Sequence, residues 1–498
     1  MTRPGWIVAV LAPAAVVAAA AWPLTARSPH VDGTPAPAPE AAAPPAGPGV
    51  VGQGGCASAG CHGAPAGSAF GHEPDENRWA SSALVWLAAD PHRRAYEVLT
   101  ENHEPTKGLA TRMMSLLYPD RKPEDRLATK EVRCLACHTN PTLATATDAH
   151  SVALRAEGVS CEACHGNAGG WLYAHTGFGE QRRKAGFSPD VTADLYRTTG
   201  MAPLYDLGQR ALACAGCHVG APEGNGLPLR DMNHDMIAAG HPKLNFDFAT
   251  YQFMLPRHWF ERDRTKPGSK ADPDFDARAW LVGRVAHAET ACRLTADRAR
   301  RADPWPEFAE SSCVACHHRL NIHFETDKNK KERGPTYPTP DPAVRKLGSL
   351  PWQPIWPVTR AESFAALAPG PAAGTVEKLL KEMQVPRPPL AARATAATAA
   401  DELAALRGRL TGLSGRAAFA AAGEVLKTTA AITDGAWDRD LAEQVYYGRT
   451  ALERARIKGG GGDPARFVRV AEKLRLDRGT IQFFLPPDDA KAIRDQLK

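Results

Sequence analysis

Gly158-Val-Ser-Cys161-Glu-Ala-Cys164-His165-Gly166 contains the arrangement that decides how this chain is read: two cysteines three apart, with histidine directly after the second. The same arrangement recurs as Cys134-Leu-Ala-Cys137-His138, Cys214-Ala-Gly-Cys217-His218 and Cys313-Val-Ala-Cys316-His317. One more copy, Cys56-Ala-Ser-Ala-Gly-Cys61-His62, the first of the five along the chain, places four residues between the thiols but keeps the histidine in its place. Ten of the 11 cysteines are thus paired, each pair followed by histidine. Histidine is rare enough here that chance would put one after a given pair only about 3% of the time, so five in five is a chemical signature.

The signature fits c-type haem attachment. Two thiols add across the two vinyl groups of one haem, and the neighbouring imidazole, held close by the short spacing, becomes the proximal ligand of the iron. Zinc ribbons also use cysteine pairs, but they need no histidine at the next position and combine two pairs per metal. Redox dithiols sit on a βαβ unit, and no such alternation is visible. Disulfides would leave the regular histidines unexplained. The expected cofactor is haem c, five copies, four from motifs of standard spacing. The expected thioethers are Cys56, Cys61, Cys134, Cys137, Cys161, Cys164, Cys214, Cys217, Cys313 and Cys316, and the expected proximal ligands His62, His138, His165, His218 and His317. Cys292, in a helix-like run, has no partner and reads as a buried free thiol.

Over about residues 51–323 the chain resembles the tetrahaem cytochrome c-554 family and related cytochrome c-552/c-554-like domains. Besides the Gly158–Gly166 stretch, the likeness rests on Trp79-Ala-Ser-Ser followed by Asp90-Pro-His92-Arg-Arg-Ala-Tyr96, and on Asn233-His234-Asp235 running to Gly240-His241-Pro242. The resemblance implies exported electron carriers in which most irons hold a second histidine and one iron can lack it. The fifth motif and the long first spacing depart from that pattern, so the resemblance does not map haem by haem.

Twelve histidines remain for the second axial positions, of which His30 lies in a linker. A histidine without context is more often a surface or hydrogen-bonded residue than a ligand. His92 begins a helix-like run, and the arginines after it can pair with haem propionates. His175 follows Gly169-Gly-Trp171, where small and aromatic residues let a flat ring approach. His234 and His241 lie seven apart, with Gly240 and Pro242 placing His241 just beyond a helix end. With His258 these are the expected distal ligands. His318, beside His317, is a further candidate, while His72, His103, His150, His287 and His323 stay unassigned.

The ends of the chain are different in kind. Met1-Thr-Arg3 followed by the apolar run Ile7 to Trp22 reads as a signal peptide or N-terminal anchor over residues 1–27, so the remainder is expected in the periplasm or another extracytoplasmic space. Residues 28–50, rich in Pro and Ala, read as a linker. The haem-bearing domain is expected over 51–325, a Pro-rich linker over 326–370, and a helical domain over 371–498. In that last part Leu403, Leu406 and Leu410, then Trp437, Leu441 and Val445, then Phe467, Val470 and Leu474 recur at helical spacing. The last 175 residues contain neither Cys nor His. Residues 371–498 hold 21 Lys and Arg against 16 Asp and Glu, leaving 39 of each upstream, so the net +5 sits in the tail and no nucleic-acid surface is indicated.

The expected fold is mainly α with extensive loops: a multihaem cytochrome domain whose core is built around covalently bound haems, then a small helical bundle. Helix-like patterns run from Ser81 to Leu99 and from Ala277 to Arg300. The expected function is electron transfer through about five mostly bis-histidine haems, exchanged with redox partner proteins. The alternative is reduction or oxidation of a small nitrogen or oxygen compound at one five-coordinate haem. No catalytic residue is nominated.

Overall fold

The structure is a computed structural model and describes residues 49–65, 78–100, 107–178, 189–259, 272–301, 372–384, 389–430 and 439–474, with single-residue gaps and a few short pieces besides. The N-terminal run, the Cys313–His317 motif, His318 and the Pro-rich stretch after it, and Trp437 lie outside the described residues. Among the described residues the fold is helices, 3-10 turns and loops without a strand; two isolated bridges, Ala221 to Arg230 and Gly224 to Leu227, are the extended pairings.

Short helices carry the N-terminal half: α1 (Ser82–Ala89), α2 (Leu109–Leu117), α3 (Val132–His138), α4 (Ala149–Leu154) and α5 (Cys161–His165). They continue with α6 (Pro189–Thr199), α7 (Leu207–His218), α8 (His234–Ala238) and α9 (Phe248–Met254). The helix-like pattern from Ser81 to Leu99 is not one helix. It stops at Ala89 because Pro91 drives Asp90 into an extended conformation (ψ 122°), and 3-10 turns follow at Pro91–Arg94 and Glu97–Leu99. Asp90 then caps the turn by accepting from the His92 backbone N–H at 2.9 Å.

The long helix α10 (Phe275–Arg301) matches the second pattern and is buried along almost its whole length. On it pack α12 (Pro389–Thr411), α13 (Gly415–Ala430) and α14 (Arg439–Lys458), while α11 (Ala372–Gln384) packs on α12 and α15 (Val468–Leu474) on α14. One apolar core joins them to the upstream part: Leu207, Ala211, Phe246 and Phe248 meet Trp280, Leu281 and Val285, which meet Leu403, Leu406, Leu426 and Val445. Leu410, Phe467, Val470 and Leu474 are buried in the same cluster, as their helical spacing requires. Smaller clusters around Leu99, Met114 and Leu135, and around Met113 and Met236, support α2, α3 and α8.

The buried face of α10 is not purely apolar. Glu289 accepts from Arg407 of α12 at 2.7 Å, Asp276 pairs with Arg454 at 3.1 Å and with Lys458 of α14, and Arg284 donates to the Phe246 carbonyl at 2.7 Å and to Gln444. Each of these ions would be costly to bury alone, so the pairing fixes how α12 and α14 sit on α10.

Candidate haem-binding site

In α3, α5 and α7 the two cysteines stand three residues apart and the histidine four after the first, so one helical face carries all three side chains. Capping fixes where two of these helices begin: Glu131 accepts from the Arg133 N–H and Asp206 from the Gln209 N–H at 2.8 Å. The Cys56–Cys61 motif is not helical. Its two extra residues are taken up by a tight turn in which Cys61 N–H donates to the Ser58 carbonyl at 2.9 Å and His62 N–H to the Cys56 carbonyl at 3.2 Å. His62 therefore stays beside the second thiol despite the longer spacing.

Each described proximal histidine faces a second histidine from elsewhere in the chain. Ring centres lie 6.2 Å apart for His62 and His175, 6.1 Å for His218 and His92, 6.3 Å for His138 and His241, and 6.3 Å for His165 and His258. Two imidazoles on opposite sides of one metal ion, with about 2.0 Å from metal to nitrogen and about 1.1 Å from nitrogen to ring centre, would have centres about 6.2 Å apart. His234 is not brought to a proximal histidine among the described residues; its exposed ring lies 6.4 Å from that of Phe308.

The rings are held by their other nitrogens. His62 Nδ1–H donates to the Trp79 carbonyl at 2.8 Å, His138 to Ala95 at 2.7 Å and His241 to Pro242 at 2.8 Å, with His175 on Leu172. His92 differs, donating to the Asp90 carboxylate at 2.8 Å. Such bonds fix the tautomer and leave Nε2 free to coordinate. Burial pushes His165 down to about 3 and His218 to about 4, and also holds His138, His175, His241 and His258 below the ordinary range, so these rings stay neutral and ligand-ready. At His92 burial opposes the charged ring, but Asp90 outweighs it and the value is raised.

The backbone around these rings is fixed at close range. Gly158, at φ +71°, lies against the His92 and Arg93 carbonyls, where a Cβ would come within 2.6 Å of both, and the Val159 N–H donates to the His92 carbonyl at 3.0 Å. Within the third motif, Glu162 is 2% exposed and its carboxylate accepts from the backbone N–H groups of Val51, Gly52 (2.7 Å) and Ala168 (2.5 Å). Glu157 accepts from Gln53 at 2.9 Å. Two carboxylates thus anchor the segment leading into Cys56 against the Cys161–His165 helix.

All four motifs open on one cavity of about 1100 Å³, lined by their cysteines and histidines together with His92, His175, His241 and His258. The cavity suits haem on several counts. Its walls are largely apolar, with Trp86, Leu99, Met114 and Leu244 among them, and Arg94, Arg133 and Arg230 also line it, cations of the kind that pair with propionates. Three buried polar atoms in the wall, His165 Nδ1, His258 Nδ1 and Arg230 Nε, have no hydrogen-bond partner among the described residues. Cysteines of different motifs also lie near one another: the Cys56 and Cys161 thiols are close enough to shift each other's ionisation, as are those of Cys137 and Cys217. The first motif therefore adjoins the third and the second adjoins the fourth.

Residues 76–166, which hold Asp90, His92 and the second and third motifs, match the family described as cytochrome c554 and c-prime. That segment is similar to the cytochrome c554 family. No curated protein and no solved structure matches the chain. The likeness implies haem c, and the cysteine and histidine side chains around the cavity are of the kinds that hold it. Among the described residues no helix is long and apolar enough to cross a membrane.

Sequence spacing indicated His175, His241 and His258 without indicating which iron each would serve, because the pairing joins residues 93 to 113 positions apart. The roles of Glu162 and Glu157 were not anticipated. A buried acid placed inside a Cys-Glu-Ala-Cys-His motif was the available signal.

Proposed function

We propose that this is an exported multihaem cytochrome that passes electrons through at least four bis-histidine haems to and from redox partner proteins. The carrying observation is the pairing of each described proximal histidine with one further histidine at ring-centre separations of 6.1–6.3 Å. An iron between two imidazoles has both axial positions filled, so it exchanges one electron and offers no place for a small molecule. His62 with His175, His138 with His241, His165 with His258 and His218 with His92 are the ligand sets of this reading. Contact between the first and third motifs, and between the second and fourth, brings cofactor sites close enough for exchange within each pair.

Export is supported by the N-terminal sequence: a basic start, an apolar run and small residues near Ala26. A fifth haem at Cys313, Cys316 and His317 rests on its motif alone, with His234 as a histidine left to serve it, while His318, in tandem with His317, suits a neighbouring haem.

The test is the intact holoprotein. Its mass gives the number of haems, expected to be five, and the oxidised electron paramagnetic resonance spectrum should be dominated by low-spin ferric signals. A strong high-spin signal that responds to nitrite, nitric oxide or hydroxylamine would replace this reading with the catalytic one.

A further inference from the structure

Among the ligand histidines whose Nδ1 partners are seen, His92 is the one held by an anion. His62, His138, His175 and His241 donate to neutral backbone carbonyls, and the Nδ1 atoms of His165 and His258 have no hydrogen-bond partner among the described residues. Asp90 is 8% exposed, accepts from the His92 ring at 2.8 Å and from the His92 backbone N–H at 2.9 Å, and is locked in place by the Pro91 turn. No basic side chain pairs with the Asp90 carboxylate apart from the His92 ring in the described structure. Its charge is therefore directed at one ligand in an enclosed, low-dielectric wall of the cavity.

We infer that Asp90 is a positioning residue that makes the haem attached at Cys214 and Cys217, with His218 and His92 as ligands, the lowest-potential centre among the four described. A carboxylate accepting the Nδ1–H pushes electron density toward Nε2 and makes the imidazole a stronger donor, and the ferric iron gains more from this than the ferrous iron. Direct electrostatics act in the same sense, since a nearby negative charge favours the state with one more positive charge. At the opposite extreme, His165 lacks even a neutral acceptor, so the haem at Cys161 and Cys164 is left at higher potential. An electron entering at the Cys214 site would then run downhill toward its neighbours. Asp90 also lies within electrostatic reach of His258 and Cys164, so the Cys161 site feels a weaker pull of the same sign.

This inference rests on the bis-histidine reading. The experiment is a potentiometric optical titration of the oxidised holoprotein, comparing the natural chain with Asp90→Asn and with Asp90→Ser, which retains a capping oxygen without the charge. His92→Ala and His258→Ala, each disturbing one iron, mark which step belongs to which site. Both Asp90 variants should raise the His92-marked step, the lowest in the natural chain, by about tenfold in the ferric-to-ferrous ratio, equivalent to 59 mV for one electron. The His258-marked step should rise by less, and the other steps should stay in place. Haem-loaded variants whose steps do not move, move uniformly, or move most at another site overturn the inference; so does a natural chain whose lowest step is not the His92-marked one. A high-spin signal assigned to the Cys214 site in the natural chain would overturn the bis-histidine reading and this inference with it, whereas low-spin signals with unmoved steps would overturn this inference alone.

Discussion

Two single residues show how much of this protein depends on buried polar groups used correctly. Glu162 sits between the two cysteines of its motif yet turns away from them to receive three backbone N–H groups. Glu162→Ala would strand those donors, and a loss of roughly 2–4 kcal/mol is expected, read as a lower denaturant midpoint together with poorer haem loading at Cys56 and Cys61. His287 is not among the cavity's paired rings. It packs against Phe246 at 6.2 Å, and burial, reinforced by Arg284, pushes it down to about 3. Because the unfolded chain titrates near pH 6.5, it binds the proton that the folded chain refuses. The neutral ring's contribution is complete above about pH 6.5 and erodes as pH falls toward 3, by up to about 1.4 kcal/mol per unit. His287→Gln should therefore flatten the pH dependence of the unfolding midpoint between pH 6.5 and 5 relative to the natural chain; identical slopes would show that the ring is hydrated.

At the scale of elements, close approach rather than helix propensity governs α10. A Cβ on Gly283 would lie 2.4 Å from the Cβ of fully buried Phe248, so Gly283→Ala must push α9 away from α10. The expected cost is roughly 1–3 kcal/mol, outweighing the gain of about 1 kcal/mol that alanine brings to a helix interior. Gly408, in α12, has open space at the same position, and Gly408→Ala should instead stabilise by up to about 1 kcal/mol. Thermal midpoints of the two variants should move in opposite directions. The element that the helix-like pattern of Ser81–Leu99 did not convey is the break at Asp90-Pro91. Proline there costs a longer helix and supplies, in its place, the turn that presents Asp90 and His92 to the cavity.

For the whole molecule, the C-terminal helices share a continuous core with α7, α9 and α10, through Phe246, Phe248 and Trp280 to Leu403, Leu426 and Val445. Removing residues 372–498 would uncover that face of α10 and leave the ions of Glu289 and Asp276 without Arg407, Arg454 and Lys458. Loss of a buried partner typically costs about 3–5 kcal/mol at each such site, so the truncated chain should not accumulate as a soluble, haem-loaded protein. A truncated protein with an unchanged haem spectrum and melting point would show that these helices only cover the surface.

The attachment chemistry is legible along the chain. Thioether attachment needs two cysteines and a histidine within five or seven consecutive residues, a constraint local enough to be written in order along the chain. The helical character of α10 and α12, whose apolar positions repeat at one period, is legible there too. Packing alone settles which distant histidine meets which proximal one, that the first motif adjoins the third and the second the fourth, and that Asp90 bears on one ligand by hydrogen bond. Those outcomes depend on packing between segments up to 126 residues apart, as between His92 and His218, and no local spacing encodes a distance across a cavity.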